Sequence, residues 1–161
     1  MASTINVSIV SDVVCLCFLG KRRFEKAVAV FQAKGNNVIF NVKYLPFELG
    51  RELGLTKEGV PTIDTLIPKM GKAGALNIGD DNVLADVYEK AGGDRNAALA
   101  YLKSDQDVSL IRSMQKQALL DGVTSVPHFN IEGLHVSGAQ ESQAFERIFE
   151  KVLQKGRAEP A

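Results

Sequence analysis

The chain has 161 residues, 45% hydrophobic and 24% charged, the balance of one globular domain with a core of ordinary size. Lys plus Arg (19) equals Asp plus Glu (19), so no excess of charge points to nucleic acid or a membrane surface. No run approaches the ~20 apolar residues of a membrane span, and Met1 to Val10 has neither a basic start nor a long apolar stretch, so a cytoplasmic protein without a secretory signal is expected.

Ile5 to Val10 alternates apolar and polar residues, the period of a half-buried strand, and Ser11-Asp12 breaks it. Phe24, Ala27, Val28 and Phe31 then recur at helical spacing and predict an amphipathic helix over about Gly20 to Lys34, stopped by Gly35-Asn36-Asn37. Val38 to Leu45 reads as a second strand closed by Pro46, which completes a βαβ unit with parallel strands. From Gly50 to Gly79, six glycines with Pro61 and Pro68 leave room for one short helix, around Thr62 to Met70.

Val83, Leu84, Val87 and Ala91 mark a helix begun near Asp80 or Asp81. Asp94 is placed to cap a short one carrying Ala97, Ala98, Tyr101 and Leu102. A third runs from about Asp105 to Leu120, with Val108, Ile111, Gln115 and Ala118-Leu119 on one face. Phe129-Asn130-Ile131 and Leu134-His135-Val136 flank Glu132-Gly133, a two-residue hairpin signal. A last helix, about Glu141 to Leu153, buries Phe145, Ile148, Phe149 and Val152. These elements predict an α/β layer fold in a single domain over 1–155, with a helical insertion at about 57–120 and a disordered tail at 156–161.

Two cysteines are too few for a disulfide framework, and a close pair in a reducing compartment suggests redox chemistry or metal binding. Cys15 and Cys17 lie between the first strand and the first long helix, where the helix dipole and unpaired backbone N–H groups favour a thiolate, the species that attacks disulfides. The competing reading makes both small buried core residues. Two positions apart on a helix they would point roughly 200° apart, so pairing them requires Cys15 to stay in the loop or the first turn to unwind.

Pro127 leads into a strand, a place proline tolerates. A cis bond there would fix the Val126 backbone, whose N–H and C=O could pair with an extended substrate; an ordinary trans turn is the alternative. His128 could join the cysteines in a three-ligand Zn²⁺ or Cu⁺ set, although a lone strand histidine is more often structural; His135 reads as an exposed hairpin residue. Asp12 serves either as proton acceptor for the resolving thiol or as a turn cap. Lys21-Arg22-Arg23 either adds positive charge beside Cys15 or forms a solvated helix face.

Val10-Ser11-Asp12-Val13-Val14-Cys15-Leu16-Cys17-Phe18-Leu19-Gly20 through Glu25, Gly122-Val123-Thr124-Ser125-Val126-Pro127 and Val136-Ser137-Gly138-Ala139-Gln140 resemble three segments of the FrnE-like branch of DsbA-type thioredoxin-fold proteins. Leu45 to Leu49 and Asn77 to Asp80 are similar to further family segments. The resemblance implies a thioredoxin-like fold and thiol–disulfide exchange, with Cys15 as attacking thiol, Cys17 as resolving thiol, and Pro127 as the cis-proline beside them. Val126 and His128 would border the substrate. No metal or other cofactor is implied. The partners would be a disulfide-containing protein or a small thiol such as glutathione, with a homodimer as one arrangement. The chain departs from the family in having Cys-x-Cys for Cys-x-x-Cys and a helical insertion shortened near Met70 to Ala75. Two other readings stay open: a catalytically impaired binding module, and a glutathione-dependent isomerase or kappa-type transferase using Ser11.

Overall fold

A computed structural model describes residues 2–12, 15, 17–48 and 80–158. The expected short helix at 62–70 and the shortened joint at 70–75 lie outside them. Strand β1 (Ser3–Ser11) leads to helix α1 (Cys17–Ala33) and strand β2 (Val38–Pro46). Helices α2 (Asp81–Lys90), α3 (Arg95–Leu102) and α4 (Val108–Leu120) follow. Strands β3 (His128–Ile131) and β4 (Leu134–Ser137) and helix α5 (Ser142–Ala158) complete the order.

The four strands form one sheet in the order β2-β1-β3-β4. Strand β1 pairs parallel with β2, Ser3 opposite Val38 and Ser11 opposite Pro46, and antiparallel with β3, Val10 opposite His128. The β3–β4 turn is the expected two-residue one: Glu132 (φ 47) and Gly133 (φ 80) both take the positive φ that matches the strand twist. Glu132 tolerates this conformation while its carboxylate accepts from the Asn6 backbone N–H (2.5 Å) and side-chain amide (2.9 Å).

Alternation along β1 sends Ile5, Val7 and Ile9 to one face of the sheet, where Phe24, Ala27 and Phe31 of α1 and Phe145 and Phe149 of α5 meet them. These helical residues recur every three or four positions, so each helix lays one apolar stripe on the sheet. The Phe24 ring touches four others, those of Phe40, Phe129, Phe145 and Phe149, at centroid distances of 5.6–6.4 Å. Lys34 ties α1 to Glu146 of α5 at 2.6 Å. A smaller cluster of Val10, Phe47, Ala118 and Val123 packs α4 on the opposite face. The architecture is a thioredoxin-like α/β fold with helices inserted between its βαβ and ββα parts.

Backbone contacts divide the chain into two compact units, Met1–Leu49 with Met114–Ala161, and Gly50–Ser113. Inside the second unit Asp94 caps α3 as predicted, its side chain accepting from the Ala97 N–H (2.6 Å), and Asp80 caps α2, for which the sequence left Asp80 and Asp81 open, accepting from the Asn82 N–H (2.9 Å). Arg95 of α3 holds Asp86 of α2 at 2.7 Å. Two boundaries differ from the sequence reading. Helix α4 starts at Val108, three residues late, because Asp107 has φ 62 and the Val108 N–H closes a turn on the Asp105 carbonyl. Helix α5 runs to Ala158, so residues 156–158 are helical rather than disordered. Gln154 and Lys155 are good helix formers, and a cation suits a helix C-terminus.

Candidate active site

Cys15 sits in a bend outside α1, its N–H bonded to the Asp12 carbonyl at 3.3 Å, and Cys17 is the first helical residue. Keeping Cys15 in the loop resolves the angular problem of a two-residue spacing. The half-buried Cys15 donates its thiol proton to the Val126 carbonyl at 3.5 Å. Cys17 lies behind it, 5% exposed and hydrogen-bonded to the Cys15 sulfur. Burial pushes the Cys17 thiol up to about 12. A backbone hydrogen bond from Asp12 acts in the other direction, while the Cys15 bond and the charges of Cys15 and Asp12 add to the rise. Both cysteines are free thiols, and at neutral pH Cys17 keeps its proton.

Strand β3 brings the opposite wall. The Val126–Pro127 peptide is cis, Pro127 is buried, and its carbonyl accepts from the Gly138 N–H at 2.8 Å. Helix α1 approaches this wall through Gly20. A Cβ there would lie 2.8 Å from Pro127 Cγ and 3.4 Å from both the Ala139 Cα and the Phe129 ring. Arg23, one turn on, fixes the same loop: its guanidinium donates to the Ala139 carbonyl (2.6 Å) and pairs with Glu141 (2.6 Å).

The sequence reading missed both positioning residues. A glycine in a helix's first turn, where alanine would be worth about 1 kcal/mol, is the signal that could have marked Gly20. Nothing local marks Arg23, because Ala139 and Glu141 are remote in sequence. Of its cationic run, Lys21 pairs with Glu25 and Arg22 lies 5.9 Å from the Phe18 ring centroid, both exposed. Those two fit the solvated face. Arg23 serves as a brace.

His128 follows the proline but turns its ring onto β4, where it is 7% exposed. Nδ1 lies 3.0 Å from Ser137 Oγ and Nε2 lies 2.9 Å from His135 Nδ1. Both nitrogens are engaged within the hairpin. Burial, then the neighbouring charge of His135, lowers its pKa from the usual value. His135 is exposed, as expected, yet its ring reaches back to His128. Val126 is half-buried and Asp12 buried. Among the described residues no three His, Cys, Asp or Glu gather as a metal site, so Cys15, Cys17 and His128 do not converge on one.

Residues 72–150, just under half of the chain, match the family model of the DSBA-like thioredoxin domain. The structure is similar to that of a probable DsbA oxidoreductase from Streptomyces coelicolor (TM-score 0.68, 23% identity, covering 98% of this chain and 92% of that one). The fold is DsbA-like. The DsbA-like frame is shared with a 2-hydroxychromene-2-carboxylate isomerase (TM-score 0.67, 14% identity, 97% and 100% covered). A putative protein disulfide isomerase from Nitrosomonas europaea is also similar (TM-score 0.58, 12% identity, 95% and 99% covered). No protein of curated function matches the sequence. In this DsbA-like chain the family match takes in Pro127 and His128, whereas Cys15 and Cys17 precede it.

Proposed function

We propose that the protein is a thiol–disulfide oxidoreductase of the FrnE-like branch, working in the cytoplasm on a protein disulfide or a small one such as glutathione disulfide. One observation carries the reading: a half-exposed Cys15 sulfur faces the Val126 carbonyl, and a buried, protonated Cys17 stands behind it.

After losing its proton to solvent, the Cys15 sulfur attacks one sulfur of the substrate disulfide. That S–S bond breaks and the other substrate sulfur leaves as thiolate. Cys17 then gives up its proton and attacks Cys15 Sγ, which releases the second substrate sulfur. Two electrons pass to the substrate, and the pair ends as a disulfide that two equivalents of a different thiol reduce, themselves leaving as one disulfide; glutathione fills that role where the substrate is a protein disulfide. Asp12, whose charge acts on Cys17, is assigned as acceptor for the Cys17 proton. Val126 offers its backbone to an extended substrate chain. No metal or flavin takes part.

Catalysed reduction of insulin and of glutathione disulfide is expected to vanish in Cys15→Ser. Cys17→Ser should stop at a mixed disulfide on Cys15, visible by mass spectrometry. Unchanged turnover in Cys15→Ser would sink the proposal. The likeness to the isomerase supports a second reading, glutathione-dependent isomerisation; tight glutathione binding without thiol dependence, lost in Ser11→Ala, would favour it.

A further inference from the structure

The His128–His135 contact is not used by the exchange chemistry, yet it adjoins the wall that faces Cys15. An N···N hydrogen bond of 2.9 Å needs an N–H on one ring and a lone pair on the other. When both rings have become imidazolium, each having taken one proton, the facing nitrogens are two N–H groups, and two like charges are set against each other. His128 is the residue directly after Pro127, and Val126, one step further back, supplies the carbonyl that accepts from Cys15. Beyond the backbone pairing of His128 with Val10 and Ser137, three contacts tie this start of β3 to β4 and the residue after it: Pro127 O to Gly138 N (2.8 Å), and the His128 ring to Ser137 and to His135. The last of these is the one that protonation of both rings breaks.

We propose that His128 and His135 form a proton-sensitive positioning pair: while their hydrogen bond is intact it keeps the Val126 carbonyl on Cys15 Sγ, and acidification releases it. The proposal rests on Cys15 being the reactive sulfur, as read above.

The charged surroundings leave the pair to respond to itself. On β1, uncharged Val10 lies opposite His128, with Asp12 beyond the strand end. Lys43 of β2 shares this sheet face but is separated from β3 by β1. Glu132 in the hairpin turn is bound to Asn6, and Lys116 lies on α4, which reaches Val10 through Ala118. Across the sheet, Arg23 and Glu141 pair with each other. The influences on His128 are burial and His135.

The test measures alkylation of Cys15 by neutral iodoacetamide, mapped by mass spectrometry, on the full chain between about pH 5 and pH 8, where imidazoles titrate. His135→Gln keeps a side chain that bonds to His128 at every pH and does not titrate; His135→Ala has no such bond. With the carbonyl withdrawn the thiol proton loses its acceptor and the sulfur reacts faster. The wild-type rate relative to His135→Gln should therefore rise about threefold on acidification, the scale of one hydrogen bond. His135→Ala should be about threefold fast already at the alkaline end, and His135→Gln should restore the slow rate there. His135 is exposed, so both variants should fold. Profiles that superimpose across the range for all three proteins overturn the proposal. Loss of disulfide turnover with the alkylation pattern intact would remove the exchange reading and leave the pair standing.

Discussion

On one face of the sheet, Ile5, Val7, Ile9, Phe129 and Ile131 meet the phenylalanines of α1 and α5, and hardly any of that surface reaches water. On the other, the strand register lines up Asn6 with Asn41, Ser8 with Asn130 and His135, and Val10 with His128 and Ser137. Apart from the apolar cluster under α4 at Val10, the contacts there are hydrogen bonds: Asn41 to Asn6 at 2.9 Å, Asn6 to Glu132, His128 to His135. The apolar face has nothing to titrate and holds the fold at any pH. Outside the cluster of Val10, Phe47, Ala118 and Val123, the second face is polar and carries groups that protons can move. The candidate site lies at the end of β1, where the first face supplies Gly20 and Phe129 and the second begins with Val10 and His128.

The sharpest way to break this contrast is to cut equally into both faces. Phe24→Ala should cost about 3–5 kcal/mol in denaturant unfolding, because its ring touches four others. Asn41→Ala should stay within about 0.5 kcal/mol, since an exposed side chain returns to water. Comparable losses would mean that the polar face bears load after all. Gly20→Ala comes next, at about 1–3 kcal/mol: the new methyl meets a proline ring rather than a flexible side-chain end. A fall in melting temperature with faster Cys15 alkylation would show that the helix start and the carbonyl wall are fitted to each other. A stabilised variant would show that helix propensity outweighs the contact.

The mildest effect is silent at neutral pH. Cys17 ionises near 12 in the fold and near 9.0 as an ordinary thiol. Between those values the unfolded chain has lost the proton and the native one retains it, so stability falls as pH rises through the window. Below about 9 both states hold the proton and nothing changes. The slope of unfolding free energy against pH over that range should flatten in Cys17→Ala. An equal slope in both proteins would mean that Cys17 is not buried as a thiol.

Periodicity made the frame legible. Two-residue alternation located β1, three-to-four spacing located α1 and α5, and Glu132-Gly133 located the hairpin, because each signal is local and backed by burial. Asp94 was readable as a cap for the same reason, and the start of α2 as Asp80 or Asp81. The start of α4 was not, since the pattern of apolar residues says nothing about the positive φ at Asp107. At the site, the resemblance pointed to Cys15, Cys17 and Pro127, and the fold places Gly20 against Pro127 and Cys15 against Val126. The His128–His135 bond and the Arg23 brace depend on which residues the strand register sets opposite each other. That register is a long-range property, invisible along the chain.

The two sides of the Cys15–Val126 contact are 111 residues apart in sequence. Synthesis proceeds from the N-terminus, so both thiols emerge from the ribosome well before the wall that will face them has been translated. Until then the Cys15 thiol lacks the Val126 carbonyl that accepts from it in the folded chain. The candidate site is complete only once the hairpin is paired on β1, with the Val126 carbonyl on Cys15.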